Sequence, residues 1–172
     1  KKSEIENWVN AHLSSSSRFS MPVAAVQVKN ILSPDRIVFI KHSAKHDALL
    51  ELADVLGRAP QVKNSGELAS EILKREELMS TAIGRGIAIP HVRLSSVTDL
   101  VMAVGICKNP ITDFQPLDEF PVSILIMIAA AYNQHSYYLQ TLSFFSSKLK
   151  DKELRGALMN ASSAEEVYKL LN

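Results

Sequence analysis

The stretch TAIGRGIAIPHVRL, residues 81–94, joins a short apolar strand to a proline and a histidine. Ile89 precedes Pro90, which disfavours the helical region for Ile89 and keeps it extended. Pro90 itself has a fixed φ and no amide hydrogen, so it suits the end of a strand. The pattern predicts that His91 lies just beyond the carboxyl end of a buried strand, where open α/β sheets bind their ligands.

His91 is a candidate nucleophile because of the chemistry of its ring. The reference pKa of imidazole is about 6.5, so a histidine side chain is largely neutral near pH 7. Histidine is also among the side chains that form covalent intermediates. The alternative is that His91 only ends the strand and forms a hydrogen bond with a neighbouring carbonyl. This stretch alone does not decide between the two roles.

The composition is that of a globular protein with one domain. The 172 residues are 47% hydrophobic and 22% charged, with a formal net charge of +1, which does not favour a protein that coats nucleic acid or an anionic membrane. The longest apolar run, residues 122–131, is too short to cross a bilayer, so we expect no membrane insertion. The charged residues 1–9 do not fit a signal peptide. The single cysteine, Cys107, excludes an internal disulfide and predicts a reducing, cytoplasmic location.

Short apolar runs alternate with amphipathic segments along the chain. Runs bounded by Gly, Pro, Asn or Asp predict strands at residues 36–40, 86–90, 100–108 and 121–129. A helical spacing of apolar residues predicts helices at residues 43–59, 65–78, 135–150, 151–160 and 163–171. Ser43 and Ser163 are the predicted N-caps of the first and last of these helices. Strands interleaved with helices predict an α/β domain whose helices pack on a largely buried sheet.

The N-terminal residues predict a separate segment. Residues 3–13 combine capping-box spacing with an apolar stripe, which predicts a helix. The serine-rich stretch SSSSRFSMP, residues 14–22, predicts a linker. We therefore divide the chain into residues 1–30, an N-terminal helix and linker, and residues 31–172, the α/β domain.

A second histidine, His135, opens the predicted helix that follows the last strand. It shares a helical stripe with Leu139 and Leu142, so we expect this face to point toward the sheet. The first turn of a helix offers free backbone amides and the positive end of the macrodipole to an anion. If their strands are neighbours, His91 and His135 converge at one edge of the sheet.

An arginine would complete an anion site there, because the guanidinium fork matches phosphate oxygens. Arg75, ahead of the opening stretch, and Arg85, between two glycines, are the candidates. The alternative for each is an ordinary solvated surface charge.

The longer stretch ILKREELMSTAIGRGIAIPH, residues 72–91, resembles the signature of the mannitol/fructose-type enzyme IIA domains of the bacterial phosphotransferase system. The resemblance covers residues 31–172, in which the strands and the closing helices follow the family's order. It implies a layered mixed sheet flanked by helices, and a histidine at the end of the signature that carries a phosphoryl group.

The resemblance also implies roles for individual residues. His91 corresponds to the family's phosphoryl-accepting histidine, and His135 to its second active-site histidine. Arg75 corresponds to an arginine that helps to hold the phosphoryl oxygens. The loop that shapes the phosphate pocket is matched by Thr81, Gly84 and Gly86, with Arg85 between the two glycines.

Three positions depart from the family's pattern. Arg85 stands where the family usually has Asp, Asn or Glu, and it adds a positive charge that strengthens phosphate binding or changes the docking partner. Ala131 replaces a usual proline, and Ser136 replaces the usual leucine after the second histidine. The substitutions at Ala131 and Ser136 affect the expected orientation of His135 rather than its presence in the site.

Within the family, IAIPHVR and the N-terminal segment are most similar to the nitrogen-regulatory branch. Some of those proteins carry an excisionase-like helix-turn-helix ahead of the IIA domain, and Lys2 to Trp8 are similar to its final part. An ordinary amphipathic helix is the alternative. A recognition helix would lie upstream, so we expect no nucleic-acid binding through this chain.

The function implied by the resemblance is that of a phosphocarrier without a cofactor. His91 takes the phosphoryl group from a phosphorylated histidine carrier protein, and Arg75, His135 and backbone amides hold the charge. An exposed apolar rim including Ile83 and Ile87 docks the carrier. We expect a regulatory output on a target protein. A sugar-specific component that passes phosphate to a IIB domain, and a degenerate sensor that takes no phosphate, are the alternatives.

Two rivals come from other classes of function. His42 and His46 lie four residues apart and could join His91 or His135 in a metal site, but no HExxH motif is present. Solvated first-turn histidines fit better, and we predict no metal. Cys107 could serve a Cys/His hydrolase, but its stretch MAVGICK predicts a strand in which a free cysteine belongs to the core.

Overall fold

The structure, a computed structural model, describes residues 26–115 and 118–172. The strands are β1 (Ile37–Ile40), β2 (Ala82–Gly84), β3 (Ile87–Ala88), β4 (His91–Arg93), β5 (Val101–Ile111) and β6 (Val122–Ala130). The α-helices are α1 (Val28–Ile31), α2 (Lys45–Gly57), α3 (Ser65–Leu78), α4 (His135–Lys148), α5 (Lys152–Asn160) and α6 (Ala164–Leu171). Two 3-10 helices, Pro34–Arg36 and Tyr132–Gln134, precede β1 and α4.

Within the described residues the strands form a mixed sheet around an antiparallel pair, β5 and β6. β1 adds to β5 in parallel, while β3 and β4 both add to β6 in parallel and β2 pairs antiparallel with β3. The spatial order is β1-β5-β6-β3-β2, with β4 also on β6. This arrangement confirms the predicted layered α/β fold with a mixed sheet.

Helices cover both faces of the sheet. Alternate residues of β5 point into two cores: Met102 and Val104 pack on the side of α4, α5 and α6, whereas Val101 and Ala103 pack on the side of α2 and α3. Because both faces are covered, β5 and β6 are apolar on both sides rather than alternating between apolar and polar. This is why their sequences contain continuous apolar runs.

The strand that carries His91 is interrupted rather than ended by Pro90. Ile87 is paired with Ile124 and His91 with Ile128, so the parallel register with β6 is the same on either side of the proline. The carbonyl of Pro90 accepts a hydrogen bond from the amide of Ile128 at 3.0 Å. The prediction that His91 lies beyond the strand end is therefore wrong. Proline removes an amide donor from the ladder, but its carbonyl keeps the chain on β6.

The helix termini confirm one predicted cap and correct another. Ser163 caps α6 as predicted, accepting from the amide of Glu166. Ser43 does not cap α2, which begins at Lys45 with Ala44 at the N-cap position and no side-chain cap. The amide of Lys45 instead donates to Oδ1 of Asp113 at 2.9 Å. A residue from the loop between β5 and β6 thus supplies the acceptor that sequence reasoning assigned to a local serine.

The predicted N-terminal helix and most of the predicted linker lie outside the described residues. Val28 and Ile31 of α1 are buried in the core beneath α4, α5 and α6. The division of the chain at residue 30 stays a prediction.

Candidate functional site

Strand β4 presents His91 to helix α4. Successive strand residues point to opposite faces, and Val92 packs in the core beside α2 and α3, so His91 and Arg93 point to the face that α4 covers. His91 is buried, and its Nδ1 lies 2.6 Å from the carbonyl oxygen of Ile89. Since a carbonyl can only accept, Nδ1 carries the ring proton and Nε2 keeps a free lone pair.

The surroundings of His91 keep the ring neutral. The pKa of His91 is lowered to about 4, chiefly by burial; the hydrogen bond to Ile89 opposes this shift, and the positive charge of Arg75 adds to it. The imidazole is therefore unprotonated near pH 7, which is the state required of a nitrogen nucleophile.

A chain of buried hydrogen bonds holds the residue to which His91 is bonded. The amide of Ile89 donates to the carbonyl of Thr81 at 3.0 Å. The amide and hydroxyl of Thr81 both donate to the carboxylate of Glu76, which forms an ion pair with Lys45 at 2.8 Å. Thr81 and Glu76 are buried. This chain, which runs from α2 through α3 to the strand, restrains the carbonyl that orients the imidazole.

Arg75 lies in the last turn of α3, which contacts β4. Its Nη1 donates to the carbonyl of Met79 at 3.0 Å. Burial and, to a smaller degree, the charge of Arg75 lower the pKa of His91. The role of Arg75 in holding an anion stays a prediction.

The aromatic ring beside His91 belongs to Tyr138 of α4. The two ring centroids are 5.6 Å apart and the planes are inclined by 54°. The guanidinium carbon of Arg93 lies 5.7 Å from the centroid of the same tyrosine ring, and Nη1 of Arg93 donates to the carbonyl of Tyr132 at 3.3 Å. Tyr138 therefore lies in contact with both His91 and Arg93.

The structure does not bring His135 into contact with His91. The buried residues of α4 in the core against the sheet include Tyr138, Leu139, Leu142 and Phe145, whereas His135 is exposed. Within the described part of the chain, His135 makes no hydrogen bond, ion pair or ring contact. The prediction that this face points toward the sheet is confirmed for Leu139 and Leu142, which are buried in the core, but it is wrong for His135, which begins the helix and is exposed.

The turn before His135 is held by side chains. The side-chain oxygen of Gln134 accepts from the amide of Ala131 at 3.1 Å, and its nitrogen donates to Asp99 at 2.5 Å. Ala131, which stands where a proline was expected, is thus restrained by a hydrogen bond instead of a ring. Ser136 is exposed beside His135.

Gly84, Arg85 and Gly86 form the turn between β2 and β3, with φ values of +93°, +58° and +78°. The amide of Arg85 donates to Asp118 at 2.5 Å. Ile87, which follows the turn, is four residues of register away from His91, or about 13 Å along the strand. Of the four residues assigned to the phosphate pocket, Thr81 is linked to His91 through hydrogen bonds, while the turn lies toward the other end of β6.

Comparison with known proteins gives the family of the chain. Residues 30–172 match the family model described as phosphoenolpyruvate-dependent sugar phosphotransferase system, EIIA 2. The chain belongs to the EIIA 2 family. The nitrogen regulatory protein of Klebsiella oxytoca is 34% identical over 152 residues, which are 86% of this chain and 91% of that protein.

Other relatives fall in both branches of the EIIA 2 family. The nitrogen regulatory protein IIA-Ntr of Neisseria meningitidis has a solved structure that superimposes with a TM-score of 0.78 at 30% identity, covering 84% of this chain and 99% of that one. The fructose-specific EIIABC component of Bacillus subtilis (strain 168) is 33% identical over 133 residues, 77% of this chain. The match spans 21% of that protein, so the chain corresponds to one part of it.

The exposed apolar side chains of this EIIA 2 domain differ from the predicted rim of Ile83 and Ile87. Ile87 is buried and Ile83 packs partly buried against the core, so the prediction that they form a docking rim is wrong. Large exposed side chains instead occur at Leu78, Met79 and Tyr132, which are 84%, 38% and 60% exposed. We call these three residues the apolar rim. Two of its members, Met79 and Tyr132, accept the hydrogen bonds of Arg75 and Arg93.

The geometry gives little support to the two rival functions, a metal site and a Cys/His hydrolase. His42 lies 2.7 Å from a carboxylate oxygen of Glu51, and no group of three potential metal ligands occurs in residues 26–115 and 118–172. Cys107 is fully buried in β5, where burial raises the pKa of its thiol to about 12. A thiol in this state is a poor nucleophile. In the same ranges, the helices are too short or too polar to span a membrane.

Sequence reasoning missed Arg93 and Tyr138. A signal for Arg93 was present, since residues two apart on a strand share a face and Arg93 follows His91 by two. Tyr138 follows His135 by three residues and therefore shares the buried helix face with Leu139 and Leu142. Sequence reasoning considered only His135 as a functional residue on that face.

Proposed function

We propose that this EIIA 2 domain accepts a phosphoryl group on Nε2 of His91. The observation that carries the proposal is the hydrogen bond from Nδ1 of His91 to the carbonyl of Ile89, which leaves Nε2 as the unprotonated ring nitrogen. The low pKa of the buried ring, about 4, supports the same conclusion.

The phosphoryl donor in this proposal is a phosphorylated histidine carrier protein. The lone pair of Nε2 attacks phosphorus in line as the bond from phosphorus to the carrier's imidazole nitrogen breaks. The electron pair of that bond returns to the carrier's ring. Nε2 has no proton to lose, so His91 needs no general base. Arg75 stabilises the negative charge on the transferring oxygens, which is the main task of a protein in phosphoryl transfer.

The apolar rim is the surface on which we dock the carrier. The carbonyls of Met79 and Tyr132 accept hydrogen bonds from Arg75 and Arg93, and apolar contact close to a reactive centre suits a transient interface of modest area. Exposed His135 stays a candidate contact with the carrier or the phosphoryl group. In this proposal, the turn at Gly84, Arg85 and Gly86 does not contact the phosphoryl group.

A regulatory output on a target protein is the preferred role. The match to the Klebsiella oxytoca nitrogen regulatory protein spans 91% of that protein, so this domain constitutes most of a known regulator. Transfer of the phosphoryl group to a IIB domain is the second candidate, because the same domain forms part of the Bacillus subtilis fructose-specific component. Exclusive retention of a sugar-specific IIB domain in a pull-down would favour the second role. The cytoplasmic location expected from composition stays a prediction.

The experiment for the proposed function is intact-mass measurement after incubation with phosphoenolpyruvate, the first enzyme of the system and the histidine carrier. We expect an acid-labile gain of one phosphoryl group by the wild-type domain and none by His91→Ala. His42→Ala, which changes an exposed histidine away from the site, is the matched control and should label normally. Labelling of His91→Ala would refute the assignment. No labelling of the wild type by a competent carrier would favour the degenerate sensor.

A further inference from the structure

Tyr138 has an uncommitted hydroxyl next to the candidate nucleophile. Its ring centroid lies 5.6 Å from that of His91, and the residue is only 6% exposed. Within the described residues the hydroxyl makes no hydrogen bond. Although the residue as a whole is buried, the hydroxyl oxygen itself is not enclosed. An acceptor that binds beside His91 can therefore reach it.

Two cationic side chains are close to the same phenol. The guanidinium of Arg93 lies 5.7 Å from the ring centroid of Tyr138, and the charges of both Arg75 and Arg93 act on its hydroxyl. Burial is the larger influence and raises the pKa of Tyr138 above its ordinary value. The phenol is therefore protonated near neutral pH and remains a hydrogen-bond donor.

The acceptor this environment fits is a dianionic oxygen group. It would sit between two guanidinium groups and a neutral hydroxyl, all of which donate and none of which carries negative charge. Nε2 of His91 is the nitrogen left free for such a group, since Nδ1 is bonded to Ile89.

We propose that the hydroxyl of Tyr138 donates a hydrogen bond to an oxygen of the phosphoryl group on Nε2 of His91, with Arg93 binding a second oxygen. The inference rests on the proposed function and adds two residues to its site. The neighbour of the phosphohistidine in this protein is thus a neutral phenol of α4, while the positive charge comes from the two arginines.

The test compares Tyr138→Phe, which keeps the ring and removes only the hydroxyl, with Tyr137→Phe as the matched control on the same helix. The measurements are the rate of labelling by the phosphorylated carrier and the partition of phosphoryl groups between carrier and domain at equilibrium. We expect Tyr138→Phe to lower both by about tenfold and Arg93→Met to lower both at least as much. Tyr137→Phe should match the wild type.

A second measurement does not depend on a variant that folds. The side-chain carbon that bears the hydroxyl of each tyrosine is followed by NMR before and after phosphorylation of the wild type. The resonance of Tyr138 should move and that of Tyr137 should not. An unchanged Tyr138 resonance, or wild-type kinetics in a folded Tyr138→Phe, overturns the inference while the labelling of His91 still stands. Absence of labelling in the wild type would remove the proposed function itself.

Discussion

Thr81 donates both its amide and its hydroxyl to the buried carboxylate of Glu76, the hydroxyl at 2.5 Å and the amide at 3.0 Å. On its other side, Glu76 pairs with the ammonium of Lys45 at 2.8 Å. The carbonyl of Thr81 accepts from Ile89, whose own carbonyl binds the ring of His91. A buried ion pair between two helices is therefore connected to the orientation of the candidate nucleophile.

The first prediction concerns that ion pair. Glu76→Gln keeps the shape of the side chain but leaves Lys45 without its partner charge. Loss of one partner from a buried pair is strongly destabilising, and the partial exposure of Lys45 reduces the effect, so we expect the free energy of unfolding in urea to fall by about 2 kcal/mol. The double variant with Lys45→Met should recover part of the loss, because no unpaired charge remains. Wild-type stability in the single variant would contradict the role of the pair.

The second prediction concerns the titration of His91. Its folded pKa, about 4, lies below the value of about 6.5 in an unfolded chain, so the unfolded state binds the proton first as the pH falls. Titration of His91 should leave the free energy of unfolding unchanged above about pH 6.5. It should lower that free energy by up to about 3 kcal/mol as the pH falls from about 6.5 to about 4.

The comparison for this second prediction is His91→Gln, which has no titrating ring. Its free energy of unfolding should fall less than that of the wild type between pH 7 and pH 4. The ring-proton resonance of His91 in NMR should stay constant from pH 8 to about pH 5. A midpoint near 6.5 would show that the ring is not enclosed as the structure has it.

The third prediction concerns Arg85, which adopts a φ of +58°. The left-handed region is unfavourable for a long side chain and tolerated by asparagine. Arg85→Asn should raise the free energy of unfolding by about 0.5–1 kcal/mol, because the backbone bond to Asp118 is kept. Because the turn lies about 13 Å from His91, labelling should not change. Slower labelling of Arg85→Asn would restore this arginine to the phosphate pocket.

The fourth prediction concerns the apolar rim. Leu78→Ser and Tyr132→Ser should each raise the KM for the phosphorylated carrier by about fivefold and leave kcat unchanged, since these side chains are exposed and bind only the docked partner. Phe120→Ser is the matched control: Phe120 is 62% exposed but precedes the first residue of β6, whereas His91 is paired near its last. An equal effect of all three substitutions would argue against a docking surface at the rim.

Much of the fold was predictable because it depends on local patterns. The apolar runs at residues 100–108 and 121–129 are strands, and the helical spacing at residues 65–78 is a helix with the same bounds. Ser163 caps its helix as its position predicts. The prediction that Ser43 caps α2 was wrong because the acceptor for the first amide of α2 comes from Asp113, 68 residues away. No local sequence pattern contains that contact.

The site was predictable in part for the same reason. Arg75 and His91 belong to one continuous signature, and helix α3, which carries Arg75, contacts strand β4, which begins at His91. The turn at Gly84 and Gly86 belongs to that signature too, yet it lies apart, because an extended chain moves about 3.3 Å away with each residue. Residues that are only a few positions apart along a strand can therefore be far apart in space.

The sequence alone determined that an apolar strand leads through Pro90 to His91, and that the chain folds as an α/β layered domain of this family. Only the tertiary structure decided which side chain of α4 meets His91. His135, Tyr138, Leu139 and Leu142 share one face of the helix, so periodicity does not show where along that face the contact with the sheet begins. In the structure the contact begins at Tyr138, so His135 is exposed and a tyrosine lies beside His91.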